Sequence, residues 1–189
     1  MRWWFVVLFW VCACAHTPPF KIVGFYHAWA PSMKSNSKRI FEEQLKDIKQ
    51  SAVYQKTSDL HITAIGARND IHDMTSHTLG NRVPITYHDL ESGMEQETVV
   101  RLWEYCRQHP FDVVWYLHNK GSFHPKPNNN VLRIHLTKIT LSQECLDQME
   151  GGADACGMRF ADVPHRHFPG NMWISRCSYI RLLPNPMTS

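Results

Sequence analysis

Residues 112–120, DVVWYLHNK, run apolar without a break from Val113 to Leu117 and then end in an imidazole, an amide and an ammonium. A β-strand sends successive side chains to opposite faces, so an unbroken apolar run predicts a strand covered on both sides. Such strands belong to parallel sheets flanked by helices. In open α/β sheets, ligands gather beyond the carboxyl ends of the strands. His118, Asn119 and Lys120 stand at that end, with Ser122 and His124 just beyond, and this segment is where a site is expected.

Upstream, Gln96–His109 carries Val99, Leu102, Trp103 and Cys106 on one helical stripe and is stopped by Pro110. Lys21–Trp29 (KIVGFYHAW) reads as a first strand. Phe41, Leu45, Ile48 and Ala52 recur at helical spacing, with Ser37 available as N-cap. Leu60–Ile65 alternates as a second strand closed by Gly66, and residues 69–80 read as a polar, histidine-rich loop. Val83–Tyr87 predicts a short strand whose Pro84 suits an edge. Downstream, Gly121, Pro125 and Pro127 break the chain. Val131–Met149 then reads as one helix, with Leu132, Leu136 and Ile139 inward and Gly151-Gly152 at its end. Strands alternating with helices predict a single α/β domain over residues 20–186, with a mostly parallel central sheet flanked by helices.

The 189 residues suffice for one sizeable core, and 43% hydrophobic with 20% charged residues is a globular composition. Net charge is +3 with twelve histidines uncounted, and no Lys/Arg run occurs, which speaks against a nucleic-acid partner. At the start, Arg2, the apolar Trp3–Val11 and the Ala13-x-Ala15 pair read as a signal peptide over residues 1–15. The alternative is an uncleaved signal anchor, the only reading that brings a membrane contact. Either one predicts the secretory pathway: Golgi or ER lumen, or secretion. Four cysteines then remain, Cys106, Cys145, Cys156 and Cys177, with three possible pairings. The last three crowd together and predict one bridge among them, while Cys106 lies on an apolar helix face and reads as core. No tight cysteine pair supports zinc, and no Asn-x-Ser/Thr acceptor is present.

Between Tyr116 and His124 the chain offers a cation, an amide, a hydroxyl and two imidazoles. Lys120 can neutralise a diphosphate, and His118 can act as general base. The plain alternative is a solvated polar loop. In residues 164–173, Arg166 or His167 can contact a phosphate. Gly170-Asn171 can turn near a sugar, and Trp173 offers a stacking face. Core aromatics with surface histidines are the alternative there. His165-x-His167 without a thiolate or carboxylate falls short of a zinc set, so no metal ligand is assigned.

FYHAW (25–29), EEQLKDIKQSAVYQ (42–55), WYLHNKGSFHP (115–125), LRIHLTKITLSQECL (132–146) and FPGNMWISRCSYIRLL (168–183) together resemble a glycosyltransferase-like family of algal and protist proteins. That family is more distantly similar to rhamnan-synthesis F-type proteins and to GT-A nucleotide-diphosphosugar transferases. The resemblance implies a Rossmann-like, GT-A-like domain with a nucleotide-sugar donor and a glycan or protein acceptor. His118 and Lys120 would be catalytic. Asn119, Ser122, His124, Arg166, His167, Gly170, Asn171 and Trp173 would bind substrate. GT-A enzymes usually hold manganese or magnesium with Asp-x-Asp at the end of this strand; here His118-Asn119-Lys120 stands instead. No cofactor is therefore predicted, with manganese or magnesium the open alternative; without a metal, either Lys120 replaces its charge or the domain binds and does not catalyse. Asp89 and Glu91 are the fallback bases. A non-catalytic glycan- or nucleotide-sugar-binding domain is the rival reading, and a histidine-rich metal-binding structural protein a third.

Overall fold

In the computed structural model, residues 20–30, 35–122, 127–163 and 167–187 are described; residues 1–15, where the signal peptide is expected, and His124, His165 and Arg166 lie outside them. The elements in chain order are β1 (Ile22–Ala30), α1 (Ser35–Gln50), α2 (Ala52–Lys56), β2 (Thr57–Gly66), α3 (Arg68–Leu79), β3 (Ile85–Leu90) and α4 (Gln96–Gln108). They continue with β4 (Val113–His118), α5 (Pro127–Thr140), α6 (Gln143–Glu150), β5 (Ala155–Gly157), β6 (Trp173–Arg176) and α7 (Cys177–Ile180). The strands form one sheet in the order β3-β2-β1-β4-β6-β5. The first four are parallel, while β6 runs antiparallel to β4 and β5 antiparallel to β6. The domain is thus α/β, with a mostly parallel sheet and helices on both faces.

Every residue of β4 is buried, and its alternation divides the core. Val113, Trp115 and Leu117 pack with Phe41 and Leu45 of α1, Ile71 of α3, Leu136 of α5 and Leu146 of α6. Val114 and Tyr116 face the other way, with Leu102 and Cys106 of α4 and Cys177 and Ile180 of α7. Period-2 alternation therefore sends His118 to the α4 side. β3 lies at the edge, with Pro84 just before it, where a missing N–H costs no ladder bond.

Gly24 explains how the largest buried side chain fits. It is the register partner of Trp115, and a Cβ there would lie 2.2–2.7 Å from the indole. The indole cannot step aside: it is buried and donates through Nε1 to Thr57 Oγ1 at 3.0 Å. Gly24→Ala is therefore expected to cost about 3 kcal/mol, at the upper end for overpacking, seen as a lower urea midpoint.

Five local expectations are corrected. Residues 69–80 belong to helix α3, whose buried Ile71, Thr75 and Leu79 recur four apart on one face and whose C-cap is Gly80 at φ +69°. The single helix over 131–149 is two: the first ends at Thr140, and Ser142 caps α6 by accepting from Cys145 N. The inner face of α5 includes Arg133, Leu136, Thr137 and Thr140, leaving Ile139 exposed. Ser37 sits inside α1 instead of capping it. Cys106 is not a bare core residue: it is bonded to Cys177, tying α4 to α7. Cys145–Cys156 ties α6 to β5 and is the bridge expected in the C-terminal third. Among the described residues, no helix is long and apolar enough to cross a membrane.

Candidate functional site

The site is built on two neighbouring histidines. β1 and β4 run parallel with His27 opposite His118, so two imidazoles stand side by side near the carboxyl ends of the central strands. The first turn of α4 lies over them. Glu95, its N-cap residue, and Thr98 are three positions apart and so share a helix face. Glu95 Oε1 lies 3.1 Å from His118 Nδ1, and Thr98 Oγ1 lies 2.9 Å from His27 Nδ1.

The proton on His118 follows from its partners. Nε2 lies 3.0 Å from the carbonyl oxygen of Gly170, which only accepts, so Nε2 carries a hydrogen. Nδ1 is then turned to a Glu95 carboxylate oxygen, with which the ring forms an ion pair whenever it carries a second proton. His118 and Glu95 thus stand at ion-pair distance as a candidate acid–base couple. Burial pushes the imidazole below its usual range, while Glu95 and the Gly170 carbonyl pull it back. His27 is pushed down to about 4, chiefly by burial, and is neutral near pH 7.

Glu95 is fixed by further donors. Tyr116 Oη donates to Oε2 at 3.2 Å, and Asn171 Nδ2 donates to the same oxygen at 3.0 Å. Asn171 Oδ1 accepts from Trp173 Nε1 at 3.1 Å, so one side chain links the carboxylate to the aromatic wall. Gly170 and Asn171 make this possible by positive φ values of 85° and 51°. A Cβ on Gly170 would also meet Leu136 Cδ1 at 2.4 Å.

Lys120 is carried on a turn whose ends are held. Ser122 N donates to the Asn119 carbonyl at 3.2 Å, and Gly121 supplies φ +96° in between. The buried Arg133 donates to the Lys120 carbonyl at 3.3 Å, to Asn130 Oδ1 at 2.9 Å and to Glu43 Oε2 at 2.9 Å. Gln44 donates to the His118 carbonyl at 3.1 Å and to Thr137 Oγ1 at 3.0 Å, and accepts from Tyr26 Oη. These contacts hold the backbone of residues 118–120 from below.

Two chambers meet on Glu95, His118 and Lys120. The larger, about 490 Å³, is walled by Phe160, Phe168, Trp173 and Tyr179, with His167, Gly170 and Asn171 also lining it. The smaller, about 200 Å³, is lined by His27, Trp29, Met94, Asn119, Gly121, Ser122 and Asn129. The residues singled out in the sequence are thus brought together where they are described. The Asn119 amide, like that of Asn171, is already taken: Oδ1 accepts from Trp29 N at 2.9 Å and Nδ2 donates to Trp29 O at 2.7 Å. Asp89 pairs with His72 at 2.8 Å on the edge strand, and neither it nor Glu91 lines either chamber.

A divalent cation does not fit these groups. Both nitrogens of His118 are engaged, Glu95 is surrounded by donors, and the Lys120 ammonium lines the same junction. Among the described residues, no three His, Cys, Asp or Glu side chains gather as a metal set.

The model of the family described as Domain of unknown function (DUF8361) matches residues 25–188, and so spans both chambers. The chain belongs to that family. No curated protein matches it in sequence. Among solved structures it is similar to a candidate nucleotide-diphospho-sugar transferase from Desulfovibrio desulfuricans G20, at 13% identity and a TM-score of 0.46. That match covers 84% of this chain and 64% of the other, so the chain spans less than two thirds of it. A 4-diphosphocytidyl-2C-methyl-D-erythritol synthase from Anaerococcus prevotii is similar at 10% identity and a TM-score of 0.49, covering 86% of this chain and 73% of that one. A second synthase of that description gives 10% and 0.46, covering 90% and 83%. Likeness at this level does not extend to a reaction.

Glu95, His27 and Arg133 are the members of this member of the DUF8361 family that sequence reasoning missed. Glu95 follows an edge strand in a polar loop, and loops after the carboxyl ends of parallel strands are where such groups belong. His27 was visible as an imidazole inside a strand otherwise read as buried.

Proposed function

We propose that the protein transfers a sugar from a nucleotide-sugar donor to a hydroxyl of a glycan or protein acceptor. One observation carries this reading: a carboxylate–imidazole couple and an ammonium, Glu95–His118 and Lys120, sit at the junction of two chambers. Group transfer needs two substrates to meet at one acid–base centre. The acceptor O–H breaks as its proton passes to the Glu95–His118 couple, and the acceptor oxygen bonds to the anomeric carbon. The bond from that carbon to the diphosphate breaks, and the diphosphate leaves with the electron pair. Lys120 faces the charge that develops there, a role the resemblance also gives it. His167, Gly170, Asn171 and Trp173 in the larger chamber, Asn119 and Ser122 in the smaller, and Arg166 and His124 outside the described residues complete the proposed binding set. The kinship with algal, protist and rhamnan-synthesis proteins rests on the sequence motifs alone. Two disulfides suit an oxidising compartment, in keeping with a secreted, Golgi or ER-lumenal protein that begins with a signal segment.

Calorimetric titration with a panel of nucleotide sugars, with and without manganese, followed by a transfer assay, tests this. Binding without metal is expected. In the assay, Glu95→Gln keeps the shape of the side chain and is expected to lower transfer roughly 10²–10⁴-fold with donor affinity little changed. An unaltered rate removes Glu95 from the chemistry, and no binding of any nucleotide sugar sinks the reading. A second reading, a non-catalytic nucleotide-sugar-binding domain, is favoured by the full engagement of His118 and Asn119 with protein partners. Binding without transfer by the wild-type protein would select it.

A further inference from the structure

We infer that the smaller chamber is a subsite for one neutral, hydroxyl-bearing group, held by His27 and Ser122 and presented to Glu95; this rests on the transferase reading above. Polar side chains shielded from water nearly always have partners, and leaving one unpaired costs roughly 1–3 kcal/mol. One side chain lining this chamber is such an exception, and a second keeps a ring nitrogen to spare. His27 is only 3% exposed; its Nδ1 is spent on Thr98, and its Nε2 has no protein partner among the described residues. The exception is the Ser122 hydroxyl, which is buried and has no partner among the described residues. Neither is there by accident of a floppy loop. His27 is set by its register with His118, and Ser122 by the turn that Gly121 and Arg133 hold.

The chemistry of the pair selects the ligand. Imidazole and hydroxyl each offer a neutral hydrogen bond, and His27 stays uncharged near pH 7 because of its burial. A hydroxyl both donates and accepts and so satisfies either tautomer of His27. The chamber's volume of about 200 Å³ lies below the ~300 Å³ at which sites for whole drug-sized ligands begin, so it takes one ring or one chain end. The larger, aromatic chamber is left for the donor. A hydroxyl held by His27 and Ser122 lies beside the Glu95–His118 couple, which also lines the chamber and is where its proton has to go.

The hydroxyl can come from a sugar or from a serine or threonine, and the experiment separates them. Protein labelled with ¹⁵N-histidine is titrated with methyl glycosides, with a Ser/Thr peptide, with uridine diphosphate and with intact nucleotide sugars, and the ring nitrogens of His27 are followed. A glycoside, or the peptide, is expected to move Nε2 while Nδ1, on Thr98, stays put. Ser122→Ala is expected to weaken that ligand roughly fivefold, the worth of one hydrogen bond, without lowering the melting temperature, because it removes an unpaired buried hydroxyl. A residue with a merely structural role would do the reverse. Uridine diphosphate moving Nε2 while no hydroxyl ligand does overturns the subsite and leaves the transferase reading standing. So does nucleotide-sugar binding to which glycoside and peptide add nothing at His27, or unchanged affinity in Ser122→Ala. If no ligand of any class binds, both fall.

Discussion

Reduction of the two disulfides is expected to bring the protein close to unfolding at room temperature. Cys106 and Cys177 are 71 residues apart and Cys145 and Cys156 are 11 apart. Chain-entropy arguments give about 4 kcal/mol for the longer loop and about 3 kcal/mol for the shorter. Together these rival the ~5–15 kcal/mol by which domains of this kind are stable. The longer bridge matters more to the site. It joins α4, which places Glu95 and Thr98 over the paired histidines, to α7, directly after β6. Urea denaturation with and without reductant, beside Cys106→Ala/Cys177→Ala, checks this. The double variant is expected to lose more stability than Cys145→Ala/Cys156→Ala, and equal losses would show that loop length does not govern the effect.

The second large effect is acid lability. His27 is held at about 4 against an ordinary value near 6.5, through burial first, with His118 adding to the depression and Glu95 opposing it. The unfolded chain binds a proton at this position below pH 6.5, and the folded chain does not until about pH 4. Stability contributed by a neutral His27 is therefore complete above pH 6.5 and is lost as pH falls to about 4, a loss of about 3 kcal/mol. His118, His61 and His88 are also pushed down by burial and act in the same direction. Melting temperature measured between pH 7 and pH 4 is expected to fall steeply, and His27→Gln is expected to flatten the curve. An NMR titration placing His27 near 6.5 in the folded protein would refute the account even if the variant does not fold. Four of the twelve histidines are thus held back from charging on acidification.

The parts of this fold that could be read from sequence are those where one physical rule dominates. Val113–Leu117 is apolar on both faces, and only a doubly covered strand accommodates that. The α4 stripe and its Pro110 stop were equally plain, since spacing and terminator agree. α3 escaped because Thr75 stands in the middle of its buried row and its other faces are polar, although Asp70 in the first turn and Gly80 after the last are good helix signals. α5 misled in the opposite way: an apolar reading chose Ile139, while burial went to Arg133, Thr137 and Thr140, the first two of which hydrogen-bond beneath the site. At the site, His118, Lys120, Gly170, Asn171 and Trp173 were legible as a constellation because they flank a strong strand or sit in an unusual segment. Glu95 was not, because its role comes from helix α4 meeting two strands in register, a relation no local window contains.

The antiparallel strand β6 has a consequence for the nascent chain. β1 to β4 are complete once His118 has been synthesised, but the far edge of β4 stays open until β6 arrives. An unpaired edge on so apolar a strand is a template for sticking to other chains. Cys177 follows β6 immediately and seals it to Cys106, a thiol made 71 residues earlier. The last strand therefore closes both the cleft and an aggregation hazard, and a delay in oxidation would be felt first as insoluble protein.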